Sequence, residues 1–283
     1  MRYKITAPSH IDTTINLPAS KSISNRALIL HALGKGSVVP DNLSDCDDTK
    51  VIINALKTMP PVIDIKAAGT AMRFMTAYLS VTPGEHVITG TNRMKHRPIR
   101  VLVDALRKLG AQIEYTEEEG FPPLRITGDS LDGGMLEIPG DVSSQYISAL
   151  LMIGPAMKNG LKLRLTGNIV SRPYIDLTLH VMHEFGISVE WTDVDMISVS
   201  HQEIGDRRYT IENDWSASSY WYEILAMTND DEARVTLPGL KDASRQGDSA
   251  VRYLFSMLGV KTAFRTSNEV VLTRHMCSLP RLD

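Results

Sequence analysis

An internal repeat constrains this chain more than any other feature of its sequence. Polar helix starts recur at Thr70, Ser144 and Ser218, and the interval from the first to the second equals that from the second to the third. Glycines that follow a second helix, Gly110, Gly186 and Gly259, recur at nearly the same interval. Two kinds of landmark that keep one period indicate a duplicated unit. Each copy is predicted to run helix–strand–helix–strand–strand, and units of this size must pack around shared helices to bury them.

The segment Pro18–Leu28 has the features of an anion-binding helix start. Ser20 or Ser22 can cap an amphipathic helix. Lys21 lies in its first turn, and Arg26 lies one turn after Ser22. Free backbone N–H groups, the positive end of the helix dipole and two cations together suit a bound anion. A solvated basic helix start has the same composition, but the recurrence of such starts along the chain favours a binding site.

Rotationally related units would place equivalent helix starts at one end of the fold. That end is expected to gather the polar residues of the helix starts and of the loops before the second helices: Lys21, Ser22, Arg26, Gly69, Arg73, Arg97, Ser143, Ser144, Gln145, Ser171 and Tyr174. Backbone N–H groups, hydroxyls and cations in one pocket suit an anionic, polyhydroxylated small molecule.

Several local patterns predict individual elements. Two short extended pieces are expected between Tyr3 and Leu17, and a strand is expected over Ser37–Leu43. Pro98 is expected in the first turn of the helix that Gly110 ends. Gln246 to Asp248 are expected to open the helix that Gly259 ends.

Composition places the chain among cytoplasmic globular proteins. Of its 283 residues, 43% are hydrophobic and 22% are charged, and the net charge is −3. This balance argues against a general nucleic-acid or membrane partner, as does the lack of a long apolar run. The two cysteines, Cys46 and Cys277, and the eight histidines show no metal-ligand spacing, so no metal is expected.

Six motifs occur along the chain in a characteristic order. They are Pro-Ala-Ser-Lys-Ser-Ile-Ser-Asn-Arg at 18–26, Ala-Gly-Thr-Ala-Met-Arg at 68–73, Arg-Met-Lys-His-Arg-Pro at 93–98, Ser-Ser-Gln at 143–145, Ser-Arg-Pro-Tyr-Ile-Asp at 171–176 and Gln-Gly-Asp at 246–248. Together they resemble the enolpyruvyl transferase family, in the branch that acts on shikimate 3-phosphate. The resemblance covers nearly the whole chain.

The resemblance implies an α/β fold of α+β repeats in two lobes, each with its helices packed inside sheets. Residues 19–212 are expected to form a complete lobe of three units on the shikimate 3-phosphate side. Residues 1–18 plus 213–283 are expected to form a partial, incomplete second lobe. The family has six such units, and the chain stops between the fourth and the fifth, so we expect a fragment. The missing part normally supplies acid/base carboxylates, so the chain alone is expected to turn over poorly or not at all.

The resemblance also implies a reaction. The enolpyruvyl group of phosphoenolpyruvate is transferred to the 5-hydroxyl of shikimate 3-phosphate with release of phosphate, a step in chorismate and aromatic amino-acid biosynthesis. No metal or organic cofactor is expected. Glyphosate is expected to inhibit at the phosphoenolpyruvate site, and the full-length protein is expected to be a monomer.

Site residues follow from the motifs. Those implied for shikimate 3-phosphate are Lys21, Ser22, Arg26, Ser143, Ser144, Gln145, Ser171 and Tyr174. Those implied for phosphoenolpyruvate are Lys21, Gly69, Arg97 and Gln145, with Thr70 and Arg73 in support. Lys21 is the implied catalytic residue. Ala67 departs from the family, which usually has Asn there, and is expected to loosen the phosphoenolpyruvate loop.

Two other functions remain open at this stage. A truncated repeat array could bind phosphorylated ligands without catalysis. A related transferase acts on UDP-N-acetylglucosamine, but it typically uses a cysteine in the loop that corresponds to Thr91–Arg97, where this chain has none.

Overall fold

A computed structural model describes residues 8–275 of the chain. Among these residues the helices are α1 (Lys21–Leu33), α2 (Asp47–Thr58), α3 (Gly69–Ser80), α4 (Asn92–Lys95), α5 (Arg100–Lys108), α6 (Ser144–Ile153), α7 (Arg172–Glu184), α8 (Trp215–Met227) and α9 (Val251–Ser256). The strands are β1 (Asp12–Thr14), β2 (Val62–Asp64), β3 (Gly84–Thr89), β4 (Gln112–Tyr115), β5 (Leu124–Gly128), β6 (Gly134–Pro139), β7 (Leu161–Thr166), β8 (Val189–Trp191), β9 (Met196–Val199), β10 (Arg234–Pro238), β11 (Val260–Thr266) and β12 (Glu269–Arg274). No helix among residues 8–275 is long and apolar enough to cross a membrane.

Three four-stranded sheets repeat one topology, in the orders β2-β3-β5-β4, β6-β7-β9-β8 and β1-β10-β12-β11. In each sheet the first pair is parallel and the next two pairs are antiparallel. The mixed α/β class and the duplicated unit expected from the sequence are therefore present.

Each sheet also has an edge strand outside the predicted repeat unit. Of these three strands the sequence analysis included only β1, as one of the two extended pieces between Tyr3 and Leu17. β2, β6 and β1 lie at sheet edges and pair in parallel with the next strand in the order. Two of the three are only three residues long, and an edge strand buries only alternate side chains, as β2 does with Ile63. Because β2 is short and half-buried, its pattern is too weak to stand out in the sequence.

The chain divides into two compact units. The continuous unit contains Lys21–Ile211, and the discontinuous unit contains the described residues 8–20 and 212–275. Within the continuous unit, α3 packs against α1, α2 and α6, and all of its residues are buried. In the discontinuous unit, the core is built around Trp215 and Tyr222 of α8 and the inward residues of β10 and β12.

The strand predicted over Ser37–Leu43 is wrong. Only Asp41 makes a β-type contact there, an isolated parallel bridge to Thr210. Pro40 has no N–H to donate, and Asn42 has a positive φ of 57°, so the extended backbone is interrupted twice. The Asp206 carboxylate instead accepts hydrogen bonds from the backbone N–H groups of Ser37 (2.9 Å) and Val38 (3.3 Å).

Other predictions fall a few residues off, or outside the described part of the chain. The helix expected at Pro98 begins at Arg100, because the backbone of Ile99 is not yet helical, and the preceding loop contains the short helix α4. Gln246 precedes a 3₁₀ turn, Gly247–Ala250, and α9 follows it. Of the two extended pieces near the N-terminus, β1 is the second, and the piece before Pro8 lies outside the described residues. Cys277 and the last residues of the chain lie outside them too.

Candidate anion-binding site

A cavity of about 250 Å³ lies where four helices of the continuous unit begin. Its lining residues come from the starts of α1, α3, α6 and α7 and are Lys21, Ser22, Arg26, Thr70, Ser143, Ser144, Gln145 and Tyr174. Two of these carry a positive charge, and among the described residues that line the cavity none is acidic. The cavity therefore has the composition of an anion site, and helix N-termini add to its positive potential.

Arg26 is the buried cation of this site. Its side chain is only 3% exposed, one turn inside α1 from Ser22. It donates from Nη1 to the Ser22 carbonyl (2.8 Å) and from Nε to Thr178 Oγ1 (2.7 Å). Burial lowers the pKa of Arg26 to about 10, partly offset by attraction to Tyr174. The group is still a cation at neutral pH.

Lys21 is the exposed cation of the same helix. It is the first residue of α1, and its side chain reaches solvent while lining the cavity. The Ser-Lys-Ser order places a flexible ammonium group at the opening of the cavity and a hydroxyl, that of Ser22, beside it. A mobile ammonium group at an opening can contact an anion and exchange a proton with it.

The start of α6 contributes hydroxyl and amide groups. Ser143 is the N-cap, and its Oγ accepts from the backbone N–H of Gln145 (3.4 Å). Gln145 Nε2 donates in turn to Thr70 Oγ1 (3.3 Å), which connects α6 to the start of α3. Gln145 and Thr70 are 75 residues apart in sequence, so only the fold places them together.

Two further arginines meet at the start of α3. Arg73 Nη1 donates to the Gly69 carbonyl (2.7 Å), and a Cβ added to Gly69 would collide with the guanidinium of Arg97. Burial lowers the pKa of Arg73, and the positive charge of Arg97 lowers it further, against the opposing effect of Tyr146. The buried Nε of Arg73 has no hydrogen-bond partner among the described residues. Gly69, Arg73 and Arg97 therefore form a second cationic cluster beside Thr70.

The predicted site residues are not all in one cavity. Gly69, Arg73 and Arg97 lie next to it rather than in its lining. Ser171 is the N-cap of α7, three residues before Tyr174, and it is not part of the lining either.

Several contacts of the site were not foreseen from the sequence. The Asp48 carboxylate accepts from the backbone N–H of Thr70 (3.3 Å), and Tyr146 Oη donates to the Pro98 carbonyl (2.8 Å). Ser148 and Thr178 contact Arg26. The signal for these last two was present, since each lies four residues after a predicted site residue, on the same helix face.

Metal-ligating side chains do not cluster in the described part of the chain. Within residues 8–275, no group of three or more His, Cys, Asp or Glu side chains is arranged to hold a metal ion.

Known proteins resemble this chain over most of its length. The profile of the family EPSP synthase (3-phosphoshikimate 1-carboxyvinyltransferase) matches residues 5–62 and 58–279. The 3-phosphoshikimate 1-carboxyvinyltransferase of Bacteroides fragilis is 59% identical over 283 residues, which cover 100% of this chain and 68% of that protein. The enzyme of the same name from Photobacterium profundum is 40% identical, over 89% of this chain and 65% of that protein. The chain thus spans about two thirds of the length of these relatives.

Solved structures share the fold. EPSP synthase from Acinetobacter baumannii matches with a TM-score of 0.77 and 20% identity, over 94% of this chain and 65% of that one. The enolpyruvyl transferase NikO from Streptomyces tendae matches with a TM-score of 0.64 and 15% identity, over 94% of this chain and 66% of that one. Taken with the sequence matches, these likenesses mean that the chain belongs to the EPSP synthase family, that is, to the 3-phosphoshikimate 1-carboxyvinyltransferases, which are transferases.

Proposed function

We propose that the cavity at the helix starts of the continuous unit binds shikimate 3-phosphate. In this proposal phosphoenolpyruvate binds beside it, and the site serves the transfer of the enolpyruvyl group to the 5-hydroxyl with release of phosphate. The observation that carries the proposal is the lining itself, two cations and several hydroxyls without an acidic residue among the described lining residues. The names of the family and of its relatives support the choice of substrates.

The shikimate 3-phosphate half of the proposal uses most of the cavity. Lys21, Ser22, Arg26, Ser143, Ser144, Gln145 and Tyr174 line it, and Ser171 lies one turn away from Tyr174 on the same helix start. Charge-assisted hydrogen bonds from a lysine and an arginine suit a phosphate, and serine hydroxyls suit a polyhydroxylated ring. A volume of about 250 Å³ is of the order needed for one small metabolite.

The phosphoenolpyruvate half uses the cationic cluster at the start of α3. Gly69 has no side chain there, and the guanidinium groups of Arg73 and Arg97 lie against it. Guanidinium groups bind carboxylate and phosphate in a bidentate way. Gln145 contacts Thr70 next to this cluster and lines the cavity, so it is suited to lie between the two substrates. Glyphosate, as an anionic competitor, is expected to occupy the same cluster.

The chemistry of the proposed reaction requires few functional groups. The 5-hydroxyl oxygen loses its proton and forms a bond to C2 of phosphoenolpyruvate, while a proton adds to C3 and the C2–C3 double bond becomes a single bond. Loss of phosphate from C2 and of a proton from C3 then restores the double bond. The protein must bring two polyanions together and transfer protons from the 5-hydroxyl and to and from C3. Fixed cations serve the first task, and a flexible ammonium group can serve part of the second. Lys21, exposed at the cavity, is our candidate for a group that transfers a proton.

The division of the chain supports a proposal about its organisation. We infer that residues 19–212 form a complete lobe of three repeat units, and that residues 1–18 with 213–283 belong to a second lobe. The compact units found among the described residues, Lys21–Ile211 and the remainder, support these boundaries. We also expect the protein to be cytoplasmic.

The proposal is tested by calorimetric titration of the chain with shikimate 3-phosphate. Lys21→Met removes the exposed cation and keeps the length of the side chain, so it should weaken binding by about tenfold, the loss of one hydrogen bond to a charged group. The matched control is Lys162→Met on β7, exposed and outside the cavity lining, which should leave binding unchanged.

The three possible functions give different results in this experiment. No binding by the wild-type chain would contradict the proposal. Binding together with release of phosphate from added phosphoenolpyruvate would identify the transferase reaction in this chain. Binding without release would support the non-catalytic alternative. Binding of UDP-N-acetylglucosamine in place of shikimate 3-phosphate would support the related transferase.

A further inference from the structure

The Arg26 guanidinium is held entirely by uncharged groups. Among the ion pairs of residues 8–275, none includes Arg26, although its side chain is only 3% exposed. Its recorded acceptors are the Ser22 carbonyl (2.8 Å), Thr178 Oγ1 (2.7 Å), Ser148 Oγ (3.1 Å) and the Tyr174 carbonyl (3.4 Å). A buried cation without a carboxylate is costly, so this arrangement needs a specific reason.

Hydrogen bonds orient the hydroxyl groups of Ser148 and Thr178. Thr178 Oγ1 donates its single proton to the Tyr174 carbonyl (2.8 Å). The contact between Ser148 Oγ and Thr178 Oγ1 (2.8 Å) therefore has Ser148 as its donor. Both oxygens then turn lone pairs towards Arg26, and both residues are fully buried. Because each hydroxyl proton is used elsewhere, neither hydroxyl group can point a proton at the cation.

One N–H group of the Arg26 guanidinium is available to a ligand. A guanidinium has five N–H groups, and the four recorded bonds use Nε, one N–H of Nη1 and the two of Nη2. The second N–H of Nη1 has no recorded acceptor in the described part of the chain, and Arg26 lines the cavity. The network thus holds the cation in place and leaves one N–H for a ligand.

The network also joins the starts of α1, α6 and α7, and each helix contributes two residues with the same spacing. Ser22 and Arg26 on α1, Ser144 and Ser148 on α6, and Tyr174 and Thr178 on α7 are each four residues apart. In each pair the first residue contributes to the cavity lining, and the second belongs to the buried network one turn inside the helix. Movement of one helix along its axis would break the bonds that it makes to the other two.

We infer that Ser148 and Thr178 are positioning residues, which hold the Arg26 guanidinium and the starts of α1, α6 and α7 in the geometry that binds the anionic substrate. They do not touch the substrate themselves. This inference rests on the proposed function of the cavity. Hydroxyls are suited to this role because they accept from the cation without cancelling its charge, whereas a carboxylate would neutralise it and oppose binding of an anion.

The test compares affinity with stability in variants of the full chain. Thr178→Val keeps the shape of the side chain and removes the hydroxyl, and Ser148→Ala is a second, smaller change. Each should raise the Kd for shikimate 3-phosphate by about fivefold or more, since one hydrogen bond to a charged group is lost. Thr178→Ser keeps the hydroxyl and loses a methyl group, so it should bind within about twofold of wild type even where urea unfolding finds it less stable.

Matched controls come from α3. Thr76 and Ser80 are also fully buried, but the partners of their hydroxyls belong to their own helix. Thr76 Oγ1 donates to the Met72 carbonyl (2.7 Å), with Met72 Sδ at 3.9 Å, and Ser80 Oγ donates to the Thr76 carbonyl (2.8 Å). Thr76→Val and Ser80→Ala should change the unfolding midpoint without changing the Kd.

Four results would overturn the inference. Unchanged affinity in folded Thr178→Val and Ser148→Ala would show that the network does not serve binding. Equal losses in Thr178→Ser and Thr178→Val would assign the effect to packing, and equal losses in the α3 controls would assign it to general stability. A wild-type chain that does not bind shikimate 3-phosphate would refute the proposed function first, and this inference with it.

Discussion

At the scale of single residues, Gly69 shows how the absence of a side chain makes room for two arginines at the start of α3. Its φ is not in the left-handed region, so the constraint is space rather than backbone conformation. A Cβ would collide with the Arg97 guanidinium and lie 2.7 Å from Arg73 Nη1. Both contacts are with the ends of flexible side chains, which can move. We therefore expect a larger residue to displace the guanidinium groups and to leave the fold intact.

Gly69→Ala should weaken binding of phosphoenolpyruvate to the complex with shikimate 3-phosphate by about tenfold, because at least one charge-assisted contact is displaced. Binding of shikimate 3-phosphate itself should change by less than about twofold. Titration calorimetry with each ligand in turn measures both. Gly205→Ala is the control, since a Cβ there meets nothing within 4 Å. Wild-type affinity for phosphoenolpyruvate in Gly69→Ala would show that the arginine cluster is not its site.

At the scale of elements, the segment after α1 shows how side chains replace a strand. Asp206 holds this segment through Ser37 Oγ (2.5 Å) and the backbone N–H groups of Ser37 and Val38. The Ser37 hydroxyl and then these backbone N–H groups lower the pKa of Asp206 below the ordinary value of 3.8. One carboxylate therefore attaches this segment at a single point, whereas a strand would depend on a full ladder of backbone hydrogen bonds.

This attachment should be sensitive to acid. Since the folded-state pKa of Asp206 is lowered, its contribution is fully present above the ordinary carboxyl pKa of 3.8 and is lost as the pH falls through the lower folded value. Carbon-detected NMR should find the Asp206 carboxyl titrating below 3.8, with the Ser37 amide proton following the same midpoint. In Asp206→Asn the Ser37 step should be absent. A Ser37 midpoint unaffected by that substitution would rule out this attachment.

At the scale of the whole molecule, the two units differ in how the chain builds them. The continuous unit is one uninterrupted stretch, 21–211, with two complete sheets and its own buried helices. The discontinuous unit requires β1 to pair with β10, with Asp12 opposite Arg234. The whole continuous unit lies between these two strands in the sequence. Closing such a long loop has an entropic cost that the continuous unit does not bear.

Residues 21–211 expressed alone should therefore fold. We expect a cooperative urea transition and retention of shikimate 3-phosphate binding within about tenfold of the full chain, because the described residues that line the cavity lie inside this range. Circular dichroism and calorimetry measure the two properties. The remaining segment 212–283 alone, which lacks β1, is the comparison and should unfold more readily. A non-cooperative transition in 21–211 would show that the unit depends on the rest of the chain.

Much of the fold could be predicted from the sequence because the same order of helices and strands is repeated along the chain. The starts of α3 and α6, Gly69 and Ser144, lie within one residue of the predicted Thr70 and Ser144, since capping and apolar periodicity are local properties. α8 begins three residues before the predicted Ser218, because Asp214 caps it. Short edge strands such as β2 escaped prediction, and the Ser37–Leu43 strand was wrong, because pairing depends on partners distant in sequence. The motifs also indicated which residues are polar at the helix starts.

What the sequence determined by itself is therefore the unit, its period and the cationic, hydroxyl-rich character of its helix starts, all of which follow from short-range spacing. Only the tertiary structure decided which of those residues share a cavity and what holds them there. Arg26 meets Ser148 and Thr178 across 122 and 152 residues of sequence. The reason is physical: the hydrogen bonds of a buried cation depend on the three-dimensional packing of helices, and no local pattern in the chain specifies that packing.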